Sequence, residues 1–521
     1  MQPVPHMTND EFRRLGHQMV DFIADYWDAL EREPQKFSVL SRVRPGEVFG
    51  SVPPVPPEAG RPLVGCARAE ARGSEDLFAD IDRLIMPGIT HWQHPHFYAY
   101  FPANATGPSV LAELLSAGLG VQGMLWATSP ACTELETRML DWLGGMIGLP
   151  ADFLSTSANG GGVIEGTASD AALVAMVAAR ERVRKSARGQ GGPTPDLVAY
   201  TSTQAHSSII KAAMIAGIAT GPDDRTHVRL IDVDSEFRMR ADLLEAAMRE
   251  DTAAGRTPFF VCATVGTTGC TAIDPIPEIA AAIARTTSSL RLSVSSSLPP
   301  WLHIDAAHAG AACVCPEYRH WLAGVEHADS ICFNPHKWLL TNFDCNCFWT
   351  RDRATLTSAL SITPEYLRNA ASDAGAVVDY RDWQVPLGRR FRSLKLWFVI
   401  RHYGVEGLRA YIHQHMAMAQ DFERWVRSDP RFEVVAPRTM NLICFRLRAL
   451  PGQSDAARDA MNRRLLDALN ASGRLHLSHA ALPGVGLTLR MAIGAVRTRE
   501  EHVKAAWAWI QEEAARATLV A

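Results

Sequence analysis

Two hydrophobic periodicities take turns along the chain. From Asn9 to Leu30 apolar residues return every three or four positions, which predicts an amphipathic helix. The Pro-rich stretch Val52–Pro57 follows and is too stiff and too poor in N–H donors for a helix or an inner strand. Beyond about residue 106, short apolar runs alternate with helical patterns. The clearest runs are Leu197–Ser202, Phe259–Val265, the one opening at Trp301, and the one that ends just before Asn334. Such alternation predicts an α/β domain with a large, mostly parallel mixed sheet covered by helices on both faces. After about residue 396, strands are expected near Phe432–Ala436, Leu442–Leu447 and Leu487–Ile493 with helices between them, a small C-terminal α+β domain. The expected division is therefore an N-terminal helical segment over 1–105, a large domain over 106–395 and a small domain over 396–521. The Ser/Thr-rich stretch Arg285–Pro300 reads as an inserted surface loop. No internal repeat is visible.

The apolar runs deliver reactive side chains where they end. Lysines occur only at 36, 185, 211, 337, 395 and 504, and Lys337 alone follows a strand, in Asn334-Pro335-His336-Lys337-Trp338. Partial desolvation there lowers the amine's pKa and frees it to form a Schiff base with a carbonyl, most often that of pyridoxal phosphate. Asp305 ends the Trp301-Leu302-His303-Ile304 run, and a carboxylate beside a pyridine nitrogen keeps that nitrogen protonated. His206 follows Leu197–Ser202 and could lie flat on a cofactor ring. Phe259–Val265 ends in Gly266-Thr267-Thr268-Gly269. Taken singly each has a plainer reading: a surface lysine, a helix N-cap, a loop histidine. Together they fit the rule that ligands of open α/β sheets bind outside the carboxyl ends of the strands. Asn159-Gly160-Gly161-Gly162, followed by Gly166-Thr167-Ala168-Ser169, offers a backbone cradle for a phosphate, with Ser169 as N-cap of the next helix.

With these residues in view the chain resembles the group II pyridoxal-phosphate-dependent amino-acid decarboxylases, most closely those acting on aromatic L-amino acids. The resemblance runs from about Glu11 to about Ala515. It rests on His94–Pro102, Ser129–Glu136, Asn334–Leu340 and Leu387–Trp397. It implies fold type I, the aspartate aminotransferase-like fold, with pyridoxal 5'-phosphate bound through Lys337. It implies that His206 stacks on the ring and Asp305 meets its nitrogen, with Ala168, Ser169, Thr268, Ala307, Asn334 and His336 also around the cofactor. Trp92, Tyr100, Phe101, Pro102, Ala103, Met124 and Gly388 would line the substrate pocket. Tyr366, on a glycine- and alanine-rich stretch reaching Gly375, would return the proton to the substrate carbon from a loop entering the other subunit's site. Family members with phenylalanine there release aldehyde, ammonia and peroxide, so tyrosine points to amine. Glycine at 388 goes with bulky aromatic substrates. Three residues depart from the animal enzymes: Ala103 for threonine, Met124 for phenylalanine and His308 for tyrosine. Methionine keeps the pocket apolar and makes it more adaptable. A homodimer with shared sites is implied, its N-terminal segment packed across the partner. The alternatives are the aldehyde-forming oxidative reaction and a non-catalytic scaffold, the latter disfavoured by the presence of Lys337, Asp305 and His206.

Composition narrows the rest. The chain has 521 residues, 47% hydrophobic and 21% charged, enough for two or three domains. A net charge of −4 gives no reason to expect nucleic acid or an anionic membrane as partner. The start Met1–His6 lacks the basic and apolar regions of a signal peptide and no run reaches membrane-spanning length, so a cytoplasmic protein is expected. Of the ten cysteines, the pairs Cys313/Cys315 and Cys345/Cys347 lack zinc-finger spacing. Free, mostly buried thiols and no metal are expected.

Overall fold

The computed structural model describes residues 6–56, 77–189, 191–290, 298–362 and 377–519. The N-terminal helix runs Asn9–Arg32 and starts where its chemistry says it should: Thr8 Oγ1 accepts from the Glu11 N–H at 3.2 Å, and the Glu11 carboxylate accepts from the Thr8 N–H at 2.8 Å.

Two sheets carry the fold. The first strand, β1 (Phe97–Tyr98), belongs to the smaller. The larger contains β2 (Gly161–Glu165), β3 (Leu197–Ser202), β4 (Val228–Ile231), β5 (Thr257–Thr264), β6 (Trp301–Asp305), β7 (Ser330–Phe333) and β8 (Asn346–Thr350), in the order β2-β8-β7-β6-β5-β3-β4. Neighbours from β7 to β4 run parallel, while β8 is antiparallel to both β7 and β2. Every residue of β3, β6 and β7 is buried, as continuous apolar runs in a parallel sheet require. Alternate residues feed two cores. Val198, Tyr200, Val261, Ala263, Ile304 and Ile331 face one, Leu197, Ala199, Phe260, Cys262 and Cys332 the other, so helices close both sides.

Register then sets the chemistry. Thr264 of β5 pairs with Asp305 of β6, and Asp305 with Cys332 of β7. Three adjacent strands thus end level, and Lys337 follows one short turn later, in the helix Pro335–Trp338.

The smaller sheet is completed by β9 (Phe432–Val434), β10 (Leu442–Leu447), β11 (His476–Leu482) and β12 (Gly486–Ala492), in the order β1-β11-β12-β10-β9. β1 joins it in parallel, Phe97 opposite His476, so the end of the N-terminal segment is structurally part of the C-terminal layer. The expected boundary at 395/396 falls inside one helix, Arg392–Ser428, whose break lies at Gly404 (φ +63°). The stretch expected to be a loop from Arg285 begins instead as helix, Ile276–Leu290. Thr286 and Thr287 are buried there with their hydroxyls on the carbonyls of Ala282 and Ile283. Residues 291–297 lie outside the described residues.

Candidate active site

Lys337 sits half-buried with its Nζ 5.7 Å from the centre of the Phe101 ring. Desolvation pushes its pKa below the usual lysine range, while the negative charge of Asp305 works against that shift. Asp305 Oδ1 accepts the Ala307 N–H at 3.0 Å, which fixes the plane of the carboxylate, and the Ala307 carbonyl accepts the Asn334 N–H at 3.0 Å. The loops after β6 and β7 are thereby tied together. His206 is exposed in the loop after β3. Its pKa is lowered by desolvation first and by Lys337, against the pull of Asp305, so the three groups share one electrostatic field. The Ser208 N–H donates to His206 Nδ1 at 3.2 Å, which puts the proton of the neutral ring on Nε2.

Asn334 is buried with its Oδ1 unpartnered. His336 is buried, accepts the Cys345 N–H on Nδ1 at 2.9 Å, and is kept neutral by burial, its pKa down at about 3. Thr268 is exposed in the turn after β5.

The phosphate cradle differs from expectation. Gly161 and Gly162 belong to β2, and Gly160 leads into it. Their missing side chains make room for packing: a Cβ on Gly161 would come within 2.8 Å of the Trp383 ring, and one on Gly162 within 2.8 Å of Trp349. Of the two turns expected to cradle the phosphate, the second remains available. The helix begins at Ala168, so Ser169 lies inside its first turn and is not the N-cap. Thr167 stands just before it, its N–H and hydroxyl both donating to Asp170 Oδ2, at 2.9 and 3.1 Å. Ala168 and exposed Ser169 remain at a 22-residue helix's positive end, where a dianion is favoured.

The expected substrate residues fall into two groups. Trp92 stacks on Tyr100 at 5.7 Å, and both are exposed. Phe101 is buried between Lys337 and His308, whose ring stacks on it at 3.8 Å. Pro102 packs at Gly494, and half-buried Ala103 offers its carbonyl to Gln93. Met124 and Gly388 form the other group. The Gly123 N–H donates to the Arg389 carbonyl at 3.2 Å, and a Cβ on Gly388 would meet only Gln122 Oε1, at 3.6 Å. Arg389 anchors this group through a fully buried ion pair with Glu136 at 2.6 Å. Tyr366 lies outside the described residues.

Sequence reasoning missed Arg490. It is buried in β12, its Nε donating to the Gly269 carbonyl at 2.9 Å and its Nη1 to Ser478 Oγ at 2.6 Å, with the guanidinium 5.4 Å from the Phe101 ring. Its Nη2 is buried and unpartnered, a donor for an anionic group. The signal was a lone charge inside the apolar run Leu487–Ile493.

These groups fit pyridoxal phosphate: a desolvated amine, a fixed carboxylate, an imidazole with Nε2–H free to donate, a helix N-terminus for a dianion, and the unpartnered Arg490 Nη2 as a further donor. Comparison with known proteins agrees. The model of the pyridoxal-dependent decarboxylase conserved domain matches residues 57–448. A phenylacetaldehyde synthase of Arabidopsis thaliana is 47% identical over 98% of this chain and 96% of its own. The crystal structure of Oryza sativa TDC with PLP and tryptamine superposes with a TM-score of 0.88 at 38% identity, covering 99% of both chains. That of Catharanthus roseus tryptophan decarboxylase in complex with L-tryptophan gives 0.86 at 40%, covering 99% and 100%.

Proposed function

The chain belongs to the pyridoxal-dependent decarboxylase family, and from that membership we propose that it converts aromatic L-amino acids to the corresponding amines and carbon dioxide. The observation that carries the reading is the meeting of Lys337, Asp305 and His206 in one electrostatic field at the level ends of adjacent strands. The aromatic preference is supported by relatives acting on tryptophan and by the apolar, aromatic wall of Trp92, Tyr100 and Phe101.

When bound, pyridoxal phosphate supplies an aldehyde for amines and a ring that takes up the electron pair left when carbon dioxide departs. The chain's own residues do the rest. Lys337, with its pKa lowered by desolvation, presents a larger fraction of neutral amine and is the residue that would hold the cofactor's aldehyde. Asp305 holds a proton on the pyridine nitrogen. His206, its Nδ1 occupied by the Ser208 N–H, would offer Nε2–H to the substrate carboxylate and its ring face to the cofactor. Ala168, Ser169, Asn334 and His336 would hold the phosphate, and Thr268 and Ala307 the ring. Tyr366 returns a proton to the substrate carbon.

A homodimer with shared sites supports this division of labour. Leu111, Leu114, Leu115 and Leu119 are exposed on one helix, Gly107–Leu119, an apolar stripe of the kind that subunit contact buries. No helix among the described residues is long and apolar enough to cross a membrane. Nine described cysteines are free and buried, which suits the reducing cytoplasm.

The aldehyde-forming reaction is the second reading, favoured by the 47% identity to a phenylacetaldehyde synthase and opposed by Tyr366. One experiment separates them: carbon dioxide, amine, aldehyde and peroxide measured together over a panel of aromatic amino acids. Wild type is expected to give amine in step with carbon dioxide. A positioned acid contributes roughly 10²–10⁴-fold, so Tyr366→Phe should slow amine release on that scale while aldehyde and peroxide rise. Stoichiometric peroxide from wild type, or full amine from the variant, overturns the amine-forming assignment.

A further inference from the structure

Away from the strand ends, one cluster is used by nothing described so far. Cys315 lies between the turns Ala309–Val314 and Pro316–Leu322, and His413 lies on the Arg392–Ser428 helix. The Cys315 thiol, the Glu317 carboxylate and the His413 imidazole bring one ligand atom each to within 4.8 Å of one another, and His413 Nε2 is already 2.5 Å from Glu317 Oε1. We propose that these three residues form a divalent-cation site of the zinc class, with water in the fourth position.

The donor set is the argument. A thiolate, an imidazole and a carboxylate are zinc's three protein ligands, and three of them with one open position is a common zinc arrangement. Bonds of about 2.3 Å to sulfur and 2.0–2.2 Å to nitrogen and oxygen put tetrahedral ligand atoms roughly 3.3–3.8 Å apart. The sulfur must close on the other two ligands by up to about 1 Å while the Glu317–His413 pair opens by about as much, and Glu317 and His413, each about half exposed, can supply both movements by side-chain rotation. Cys315 is buried, while Glu317 and His413 lie on the exposed side of the cluster.

Arg409 and Arg319 lie beside the Cys315 thiol. Both guanidiniums are turned to carbonyls: Arg409 Nε donates to Val314 at 2.8 Å, and Arg319 donates to Cys313 at 3.3 Å and Met146 at 2.8 Å. Tyr318 packs edge-on against the His413 ring at 6.4 Å. Zinc would displace the thiol proton on binding. It would also tie the segment descending from Asp305 to the long helix that follows Gly388. The expectation of no metal came from the spacing of Cys313 and Cys315. The completing ligand is 96 residues beyond Glu317, where no local motif records it.

The test uses the pyridoxal-phosphate-loaded enzyme, freed of metal with a chelator and dialysed to equilibrium against buffered zinc. One zinc per chain is expected, with X-ray absorption showing a single sulfur at about 2.3 Å among nitrogen and oxygen neighbours. His413→Asn should weaken binding at least tenfold and leave decarboxylation in metal-free buffer unchanged. Cys315→Ser should remove the sulfur shell. Should that variant fail to fold, the sulfur signature and His413→Asn still decide. No saturable zinc, a zinc without sulfur, a sulfur shell that survives Cys315→Ser, or an affinity untouched by His413→Asn overturns the site.

Discussion

The two halves of the candidate active site are built by different rules. The half assigned to the cofactor hangs on strand register: Thr264, Asp305 and Cys332 end level on β5, β6 and β7, and the loops beyond them are cross-tied from Asp305 through Ala307 to Asn334. Shifting one of these strands by a residue would exchange the side chains it sends to the two differently packed cores, so the chemistry inherits the rigidity of the sheet. The half assigned to the substrate is made of loops in two groups, Trp92–Ala103 around β1 and Met124 with Gly388 beside the Arg389–Glu136 pair. Its exposed rings, Trp92 and Tyr100, are finished by something other than their own chain's core. On these assignments the sheet would set reaction type, and the loops substrate preference.

The largest break in that comparison is Lys337→Ala. The phosphate and ring contacts persist without the amine, so fold and some cofactor binding should survive while turnover falls to background. Activity within tenfold of wild type, a loss of only about 1.4 kcal/mol at the transition state, would remove the lysine from its role.

Asp305→Asn comes next. The amide keeps an oxygen for the Ala307 N–H, so the local turn is preserved and only the charge is lost. A steep fall in decarboxylation with a modest loss of cofactor affinity is expected. An unchanged rate would make Asp305 a turn-forming residue and nothing more.

Acid should strain both halves at once. His303 and His94 are held at about 4 and His308, His336, His96 and His415 at about 3, in every case chiefly by burial. Each folded value lies below the unfolded one of about 6.5, so the fold keeps these rings neutral and the unfolded chain takes up protons first. Stability is therefore complete above about pH 6.5 and declines as pH falls toward the folded values. At pH 5 the loss is about 2 kcal/mol for each such ring. Urea midpoints compared at pH 7.5 and pH 5 measure it. A flat midpoint would mean these rings are hydrated in solution.

What the sequence made legible follows the same divide. Leu197–Ser202 and Leu442–Leu447 are legible because buried strands leave mostly apolar runs, even where Arg446 interrupts one of them. β11 went unseen, since His476, Ser478 and His479 break its pattern, and those residues face hydrogen-bond partners such as Asn470 and Arg490 that only the fold brings near. The glycines 160–162 read as a phosphate loop because a glycine run looks the same whether it clears space for an anion or, as here, for the Asp152 carbonyl at Gly160 and the indoles of Trp383 and Trp349 at Gly161 and Gly162. Lys337, Asp305 and His206 could be found singly at strand ends. Arg490 could not be tied to Phe101, because no local spacing connects residues 101 and 490.

The smallest effect expected is the one that isolates the substrate half. Gly388 is exposed, and a new Cβ there meets only the far end of Gln122 at 3.6 Å, an ordinary contact. Gly388→Ser should therefore fold as well as wild type, and any kinetic change reports the pocket. If this position reads ring size, the serine will lower kcat/KM for tryptophan or dihydroxyphenylalanine more than for phenylalanine. The difference should match one small group's discrimination, roughly 1–3 kcal/mol. Cofactor affinity should not move, because the register-built half is untouched. An equal loss across the panel would show that the residue does not sort substrates by size, and a loss of cofactor would show that the two halves are not separable.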